Sequence, residues 1–346
     1  MEHSSQATAP DMPPPAAQLM RAATAFFGSI SIFVAARLDI AELLAEGPRT
    51  ADALAVPTGT DADALYRVLR AAAMAGVFEE LPNRTFANNA LSETLRENAP
   101  DSTRQLIMWM MEEPHWRVYG ELLYSVQTGK TAWDKVYNEP CFDSLFGSMK
   151  DLGTTFNRAM TSYSRQTIPA ILAAYDFSSA TTIADIAGGY GHLLGAVLQA
   201  NPQAKGVLFE FPPVLDGAHA MMDSYGVRDR VEMVAGDFTV SIPVRADIYM
   251  LKHIIHDWSD EKCRQILRNI SKSMPHNAKV LIIDAVVPGP GEPHFSKFLD
   301  LEMLMLPGGK ERTEDEFRSL LESAGFMMTR VIPTPSPISI VEATKA

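Results

Sequence analysis

A glycine-rich turn between a predicted strand and a predicted helix is the first segment of this sequence that could bind a ligand. The run Ile183–Leu194 reads IADIAGGYGHLL, an apolar strand followed by Gly188, Gly189 and Gly191 and then a helix start. Glycines there permit a tight turn and a close approach of the backbone to a ligand. Glu210 ends the next apolar run, 22 positions after Gly188. An acid at the tip of the second strand is placed to bind two ribose hydroxyls, so the combination predicts a nucleotide site.

The same turn distinguishes between two nucleotide cofactors. A dinucleotide fingerprint needs a third glycine where this sequence has Leu194, so the pyrophosphate cradle is incomplete. S-adenosylmethionine has no phosphate, and its positive sulfonium and amino groups suit an acidic site that contains Asp185. After the third predicted strand, Asp237 can accept a hydrogen bond from an adenine amino group, and Phe238 can stack on the ring. The sequence therefore favours S-adenosylmethionine as the cofactor.

Two further runs bring titratable side chains to the ends of predicted strands and helices. Residues 251–261 read LKHIIHDWSDE and include Lys252, His253 and His256. This run follows the fourth predicted strand and begins a helix, so it lies at the carboxyl edge of the sheet, where open α/β folds bind ligands. Residues 306–313 read LPGGKERT and precede the last long predicted helix.

With these motifs in order, the sequence closely resembles the small-molecule O-methyltransferases of the caffeate and hydroxyneurosporene type, including bacterial enzymes that act on antibiotic and pigment precursors. The resemblance covers nearly the whole chain, from a helical N-terminal half through the glycine turn, the strand-end acid, GDF, KHIIHDWSD and GGKERT. It implies an S-adenosylmethionine-dependent transfer of a methyl group to a hydroxyl of a small aromatic or polyketide-like molecule. It also implies a homodimer formed through the N-terminal half.

The resemblance implies a role for each matching residue. His256 matches the general base, and Asp284 and Glu311 match the two acids that flank it. A neutral histidine near pH 7 can take the proton of a phenol, and carboxylates beside the ring fix its tautomer and stabilise the imidazolium. The implied cofactor contacts are the three glycines of the turn and five other residues. They are Gly188, Gly189, Gly191, Glu210, Asp237, Phe238, Lys252 and Ser164. For Lys252 a surface ion pair remains an alternative role.

Substrate contacts are predicted with less support than cofactor contacts. The stretch that contains Met160 matches a family segment that reaches both cofactor and substrate. The predicted substrate-binding set is Met160, Phe156, Trp133, His253 and Met303. Apolar members of this set can equally belong to the core, and His253 can be a bystander. The sequence does not identify the substrate.

Three other functions stay open at this point. Some members of the family bind the cofactor but catalyse hydroxylation, decarboxylation or a pericyclic rearrangement. N-methylation is a nearby variant in which His256 is dispensable. The third is a non-enzymatic winged-helix regulator, because helix, turn, helix and strand-like wing follow one another between residues 48 and 97. That segment carries seven acids and five bases, which is the wrong sign for a DNA-binding surface.

Alternation of apolar runs with helical segments predicts the fold of the second half. Five runs from 182 to 287 are separated by helices, which is typical of a mostly parallel sheet covered on both faces. Runs 327–332 and 338–342 predict an antiparallel hairpin at the sheet edge. We expect a Rossmann-like, seven-stranded methyltransferase fold preceded by an all-α, winged-helix-like dimerisation domain. The predicted ranges are 1–16 for a disordered tail, 17–165 for the dimerisation and substrate-pocket domain, and 166–346 for the cofactor-binding catalytic domain.

The amino-acid composition limits the classes of binding partner and the cellular compartment that we expect for this protein. A formal net charge of −12 over 346 residues repels phosphate backbones and anionic lipid, so neither nucleic acid nor a membrane is expected as a partner. No uninterrupted apolar run of about 18 residues or more is present to span a bilayer. Residues 1–16 lack the basic start and apolar run of a secretory signal. Cys141 and Cys263 show no metal-ligand spacing, which indicates reduced thiols in a cytoplasmic protein and no bound metal.

Overall fold

A computed structural model of the chain describes residues 13–346, and it divides into two compact units, Met1–Glu112 and Glu113–Ala346. The predicted boundary after residue 165 differs from this division and falls inside one continuous helix, Lys150–Ala174. Of the predicted disordered tail, residues 1–12 lie outside the described part of the chain. Its end is helical instead, since the first helix begins at Pro15.

The first unit is mainly helical with a small antiparallel sheet of order β1-β3-β2. Thr50 caps α4 as predicted, because its Oγ1 accepts a hydrogen bond from the backbone N–H of Ala53 at 3.2 Å. The two predicted helices and the strand-like wing are present. The elements are α1 (Pro15–Ala23), α2 (Phe26–Arg37), α3 (Ile40–Leu43), β1 (Arg49–Thr50), α4 (Ala51–Thr58), α5 (Ala62–Met74), β2 (Glu79–Leu81), β3 (Thr85–Ala87), α6 (Ala90–Glu93) and α7 (Arg104–Met110).

One helical stretch among the described residues is long and apolar enough to cross a membrane, judged by length and composition. It is Pro15–Arg37, 23 residues that contain an 18-residue window with a mean hydropathy of 1.6, and most of it is exposed. It contains no uninterrupted apolar run of about 18 residues, because small polar residues such as Ser29 and Ser31 interrupt it while its average hydropathy stays high. The expectation that nothing spans a membrane stays a prediction.

The second unit begins with five helices and continues as a seven-stranded sheet of order β6-β5-β4-β7-β8-β10-β9. Its helices are α8 (Glu113–Tyr119), α9 (Leu122–Thr128), α10 (Ala132–Tyr137), α11 (Cys141–Phe146), α12 (Lys150–Ala174), α13 (His192–Ala200), α14 (Pro212–Ser224), α15 (Asp260–Ser273), α16 (Ser296–Met305) and α17 (Glu314–Ser323). Its strands are β4 (Thr182–Ile186), β5 (Lys205–Glu210), β6 (Val231–Ala235), β7 (Ile248–Lys252), β8 (Lys279–Asp284), β9 (Phe326–Pro333) and β10 (Ser339–Lys345).

The sheet is covered on both faces, as the near-continuous apolar strands predict. In β8, Val280 and Ile282 belong to one buried cluster, whereas Leu281 and Ile283 belong to another. Strands β4 to β8 run parallel, and β10 is antiparallel to both β8 and β9. The predicted hairpin is confirmed, with β9 at the edge. The parallel strands thus deliver their last residues to one carboxyl edge.

Candidate active site

The glycine turn connects β4 to α13 with backbone angles that favour glycine. Gly189 and Gly191 have φ of 59° and 82°, and Ala187 has φ of 55°. Gly188 is required for space, because a Cβ added there would lie 2.4 Å from the carboxylate of Asp185. The turn therefore brings backbone close to a buried acid, and residue 188 tolerates no side chain without displacing that acid.

Glu210 is the last residue of β5, at the position predicted from the sequence. Its Oε2 accepts a hydrogen bond from the N–H of Gly189 at 2.9 Å, and its Oε1 accepts one from the N–H of Phe211 at 2.7 Å. Burial raises the pKa of this carboxyl, whereas the two backbone N–H groups act in the opposite direction. Glu210 thus holds the glycine turn and presents its carboxylate at the sheet edge.

Asp185 and Lys252 lie at the ends of the neighbouring strands β4 and β7. Asp185 is almost fully buried, and within the described residues neither carboxylate oxygen has a hydrogen-bond partner of acceptable geometry. Burial raises the pKa of Asp185 to about 7, and Lys252 opposes this increase. Burial lowers the pKa of Lys252 to about 8 against the opposing effect of Asp185 and Asp284. The charges of Asp185 and Asp284 thus act on Lys252, and its role as a cofactor contact stays a prediction.

Asp237 and Phe238 follow β6 and form a local turn. Asp237 Oδ1 accepts hydrogen bonds from the N–H of Thr239 at 2.7 Å and from its hydroxyl at 2.6 Å. Phe238 is 5% exposed, and its ring centroid lies 6.1 Å from that of Phe211 and 5.8 Å from that of Trp258. Phe238 therefore links the candidate nucleotide site to the loop that carries His256.

His256 sits in a short 3-10 turn, Ile255–Asp257, immediately after β7. Its Nδ1 lies 2.7 Å from Oε1 of Glu311, and its Nε2 lies 3.5 Å from Oδ1 of Asp257. The side chain of His256 is 9% exposed and that of Glu311 is fully buried. Glu311 thus holds one ring nitrogen, as expected for an acid that flanks the histidine, and the contact with Asp257 was missed.

Asp284 makes a different contact from the one predicted. It ends β8 and is fully buried, and its Oδ1 lies 3.4 Å from Nδ1 of His253. It acts on His256 through its charge rather than through an ion-pair contact. The sequence could not show this. Both histidines follow β7, which lies next to the strand that ends at Asp284, and only the conformation of residues 253–257 decides which ring faces the acid.

The buried acids set the charge state of this cluster. Burial alone would lower the pKa of His256, but Asp257, Asp284 and Glu311 together raise it to about 10. Burial raises the pKa of Asp257 to about 7, with His256 acting in the opposite direction. Burial also raises the pKa of Asp284 and of Glu311, for which His256 is the main opposing charge. The acids thus make His256 a strong base, and the buried cluster retains protons at neutral pH.

Gly309 and Arg312 position Glu311 beside His256, and neither was predicted as a site residue from the sequence. A Cβ at Gly309 would lie 1.9 Å from the carbonyl oxygen of His256, and the N–H of Lys310 donates to that oxygen at 2.9 Å. Arg312 is 1% exposed and donates to the carbonyl oxygens of Ile255 and Trp258 and to Oδ1 of Asp260. The GGKERT loop is thereby fixed against the HDWSD loop. The only feature of the sequence that could have indicated these two roles is that Gly309 and Arg312 lie within two positions of Glu311.

Helix α12 carries three predicted site residues and one missed residue. Phe156 and Met160 are half-buried and Ser164 is 7% exposed. Phe156 contacts Phe142, which in turn contacts Trp258 of the HDWSD loop. Tyr163, one position before Ser164, has its ring centroid 5.1 Å from that of His253. The middle of α12 therefore lies beside the histidine cluster, in line with the predicted contacts of this helix.

Trp133 and Met303 are placed less favourably for a substrate contact. Trp133 is fully buried, donates its indole N–H to Oγ of Ser144 at 3.1 Å and packs on Tyr137. It is a core residue of the helical segment, which corrects its assignment to substrate binding. Met303 is 7% exposed on α16, whose Asp300 accepts a hydrogen bond from the N–H of Glu311 at 2.8 Å. Its assignment to substrate binding stays a prediction.

Three of these side chains also satisfy the geometry of a possible metal site. One potential ligand atom from each of His253, His256 and Asp284 lies within 4.8 Å of the others. Two imidazoles and a carboxylate are donors that transition-metal ions accept. The expectation that the protein uses no metal stays a prediction.

Comparison with known proteins agrees with this arrangement over most of the chain. Residues 119–327 match the family model described as the O-methyltransferase domain. Residues 20–98 match the model described as the O-methyltransferase dimerisation domain. The second match includes most of the apolar stretch Pro15–Arg37.

Individual relatives cover nearly the full length. The chain is 42% identical to the phenazine O-methyltransferase PhzM of Lysobacter antibioticus over 325 residues, which are 94% of this chain and 95% of the relative. It is 35% identical to the 8-amino-8-demethylriboflavin N,N-dimethyltransferase of Streptomyces davaonensis over 314 residues, or 90% of each chain.

A solved structure shows a relative with both ligands bound. It is the O-methyltransferase NcsB1 from neocarzinostatin biosynthesis in complex with S-adenosylmethionine and 2-hydroxy-5-methyl naphthoic acid. The two proteins are 30% identical, the TM-score is 0.81, and the alignment covers 98% of this chain and all of the other.

Proposed function

Since the chain belongs to the family of O-methyltransferases that carry an N-terminal dimerisation domain, we propose that it methylates a hydroxyl group of a small aromatic or polyketide-like molecule. S-adenosylmethionine is the methyl donor that the family uses, and we propose His256 as the general base. The observation that carries this proposal is the buried contact of 2.7 Å between His256 Nδ1 and Glu311.

This contact determines which nitrogen can take a proton. With Nδ1–H donated to Glu311, the Nε2 of a neutral His256 carries the free lone pair. A phenol is a weak nucleophile until it loses its proton, and its pKa is close to that of tyrosine, about 10. The raised pKa of His256, about 10, matches it, so proton transfer to Nε2 is close to balanced. Glu311 and Asp257 then stabilise the imidazolium.

The residues around the glycine turn fit the proposed methyl donor. S-adenosylmethionine, when bound, supplies a methyl group on a positively charged sulfur. Gly188 lets the turn pack directly against Asp185, whose buried carboxylate has no hydrogen-bond partner among the described residues and suits a cationic group. Glu210 presents a carboxylate for ribose hydroxyls at the end of β5. Asp237, Phe238, Lys252 and Ser164 stand as further proposed contacts.

The proposal extends to assembly and location. The dimerisation-domain match supports a homodimer, as does the exposed apolar surface of α1 and α2. Both cysteines are free and buried, which supports a cytoplasmic location. The negative net charge argues against nucleic acid or anionic membranes as partners.

N-methylation is the second candidate, because one relative of 35% identity is an N,N-dimethyltransferase. An aromatic amine has a free lone pair and attacks without first losing a proton. A buried base that is held by its own carboxylate is therefore needed for a hydroxyl substrate and not for an amine. The His256–Glu311 pair favours O-methylation, and it also argues against a repurposed, non-methylating member.

The test combines cofactor binding with product analysis. Wild type, His256→Ala and His276→Ala are titrated with S-adenosylmethionine and S-adenosylhomocysteine by calorimetry, and then assayed with a panel of phenols and aminophenols. His276 is an exposed histidine and serves as the control. We expect all three to bind both nucleotides, and His256→Ala to lose about 10²- to 10⁴-fold in O-methylation rate.

Each other outcome points to a different function. Methylation on nitrogen that survives in His256→Ala would favour the N-methyltransferase. Binding with conversion to a product of unchanged or oxidised mass would favour the repurposed member. If neither nucleotide bound, the cofactor assignment would be wrong.

A further inference from the structure

His253 has features that a bystander next to the catalytic loop does not require. Its backbone adopts φ of 55°, a left-handed conformation that is uncommon for a non-glycine residue. Nevertheless its side chain is 8% exposed, which places the ring inside the protein. A strained backbone that buries a polar ring indicates a functional constraint on that ring.

One ring nitrogen of His253 faces a carboxylate and the other has no partner among the described residues. Nδ1 lies 3.4 Å from the buried Oδ1 of Asp284, a charge contact without hydrogen-bond geometry, and a carboxylate on this side favours the tautomer with its hydrogen on Nδ1. Nε2 is buried and has no hydrogen-bond partner among the described residues. Burial, reinforced by the charge of Lys252, lowers the pKa of His253 well below its usual value, which keeps the ring neutral. The free Nε2 is therefore a hydrogen-bond acceptor and not a donor.

The two histidines form a pair of similarly built acceptors. Their ring centroids lie 5.1 Å apart with an interplanar angle of 35°, and each ring has its Nδ1 directed at its own buried carboxylate. Tyr163 of α12 also packs on His253, with ring centroids 5.1 Å apart. The site therefore offers two neighbouring Nε2 atoms. That of His256 has a lone pair for the reacting hydroxyl when the ring is deprotonated, and that of His253 has no assigned partner.

We propose that His253 Nε2 accepts a hydrogen bond from a second hydroxyl or amino group next to the reacting hydroxyl, so that the enzyme selects vicinal diols and ortho-aminophenols. This inference rests on the proposed O-methyl transfer with His256 as the base. Two donors on adjacent ring carbons lie close enough to face two neighbouring imidazoles, whereas donors at opposite ends of a bicyclic ring do not.

The energetic argument is that a buried acceptor without a partner is costly. A ligand that leaves Nε2 unpaired forfeits about 1–3 kcal/mol, which is roughly 5- to 150-fold in affinity. A methoxy group at the second position is worse than a hydrogen atom, because it presents a lone pair to another lone pair. His253 is thus a specificity-determining residue, which is distinct from the base.

The experiment measures binding to the complex of the enzyme with S-adenosylhomocysteine, in the presence of EDTA. The probes are 2,3-dihydroxynaphthalene, 2,7-dihydroxynaphthalene and 2-naphthol, which share a ring system and differ in the second hydroxyl. We expect the 2,3-diol to bind roughly 10- to 100-fold more tightly than the other two. Equal affinities, or no measurable binding of the 2,3-diol, would overturn the proposal.

Two substitutions separate the acceptor from the fold. In His253→Asn the side-chain amide takes the place of Nδ1 and can face Asp284, but no atom takes the place of Nε2. Asparagine also tolerates the left-handed backbone conformation. In His253→Gln the longer side chain supplies an acceptor near the position of Nε2. We expect the preference for the 2,3-diol to vanish in His253→Asn and to return in part in His253→Gln, while both variants still bind 2-naphthol. Retention of the preference in His253→Asn would contradict the role.

A metal ion at His253, His256 and Asp284 would explain diol binding differently. A preference that disappears with EDTA and returns with added Zn²⁺ would therefore overturn the proposal. Methylation is recorded in parallel, so that failure of the proposed function is distinguishable. If the diol preference holds but no product forms, only the transferase assignment fails, and if all naphthols react equally, only the role of His253 fails.

Discussion

At the level of single residues, the proton affinity of His256 is controlled by the acids around it. Asp257, Asp284 and Glu311 raise its pKa to about 10 against the effect of burial, so the ring is mainly protonated at neutral pH. Only the deprotonated ring can act as the base. We therefore predict that kcat/KM rises with pH from 7 towards 10 and levels off above the pKa. A rate that falls over this range would contradict the role of His256.

Replacing Glu311 by glutamine tests the source of this shift. Removal of the negative charge lowers the pKa of His256, so the rising limb of the pH–rate profile should move to lower pH. The maximal rate should also fall by about 10²- to 10⁴-fold, because the tautomer is no longer enforced and the base is weaker. Glu314→Gln is the matched control, since Glu314 is half-exposed and pairs with Arg318. An unchanged limb in Glu311→Gln would mean that Glu311 does not set the pKa.

At the level of secondary-structure elements, the contact between two loops determines the active-site geometry. The loop before α17 approaches the 3-10 turn after β7 so closely that only glycine fits at position 309. In Gly309→Ala, the added methyl group would displace the loop and move Glu311 away from His256. Because small misplacements can cost about 10²-fold in rate, we expect a loss of at least that size in kcat/KM.

The nucleotide site should not change in the same variant. The glycine turn after β4 and the loop of residue 309 belong to different elements, so calorimetric affinity for S-adenosylhomocysteine should equal that of wild type. Gly289→Ala serves as the control, since its Cβ would meet only a flexible glutamate oxygen at 3.4 Å. Full activity of Gly309→Ala would show that the loops adjust without loss.

The elements themselves were the most predictable part of the molecule. The apolar run that begins at residue 182 forms β4 and the helix start after the glycine turn forms α13, because local periodicity and glycine fix them. The glycine turn and Glu210 were found for the same reason. The extent of α12 was not predicted. The residues on both sides of position 165 have the same helical character, so nothing in the sequence showed that one continuous helix crosses the predicted domain boundary.

Contacts between distant loops were not predictable from one sequence. Arginine is rarely buried, so its type alone did not indicate that Arg312 joins three backbone carbonyls and Asp260. The pairing of Asp284 with His253 depends on the left-handed backbone at residue 253, which no propensity indicates. Burial in a core and burial against a ligand favour the same side chains, so the residue type of Trp133 alone does not distinguish a core residue from a pocket residue.

At the scale of the whole molecule, the exposed apolar residues of α1 and α2 need a partner. Leu19, Met20 and Phe27 are 71%, 61% and 58% exposed, which is unusual for large apolar side chains so close together. The dimerisation-domain match begins at residue 20 and so includes two of them. A membrane is the competing explanation by composition, but the net charge of −12 opposes binding to anionic lipid.

We therefore predict that the double variant Met20→Glu/Phe27→Glu sediments as a monomer at micromolar concentration, whereas wild type sediments as a dimer. Burying two charges at the former interface costs more than the dimer gains there, because each glutamate would be desolvated without a partner. Val56→Glu is the control, since Val56 is 81% exposed in the same unit and should leave the dimer intact. Flotation of wild type with vesicles of phosphatidylcholine and phosphatidylglycerol, lost in the double variant, would instead assign this surface to a membrane.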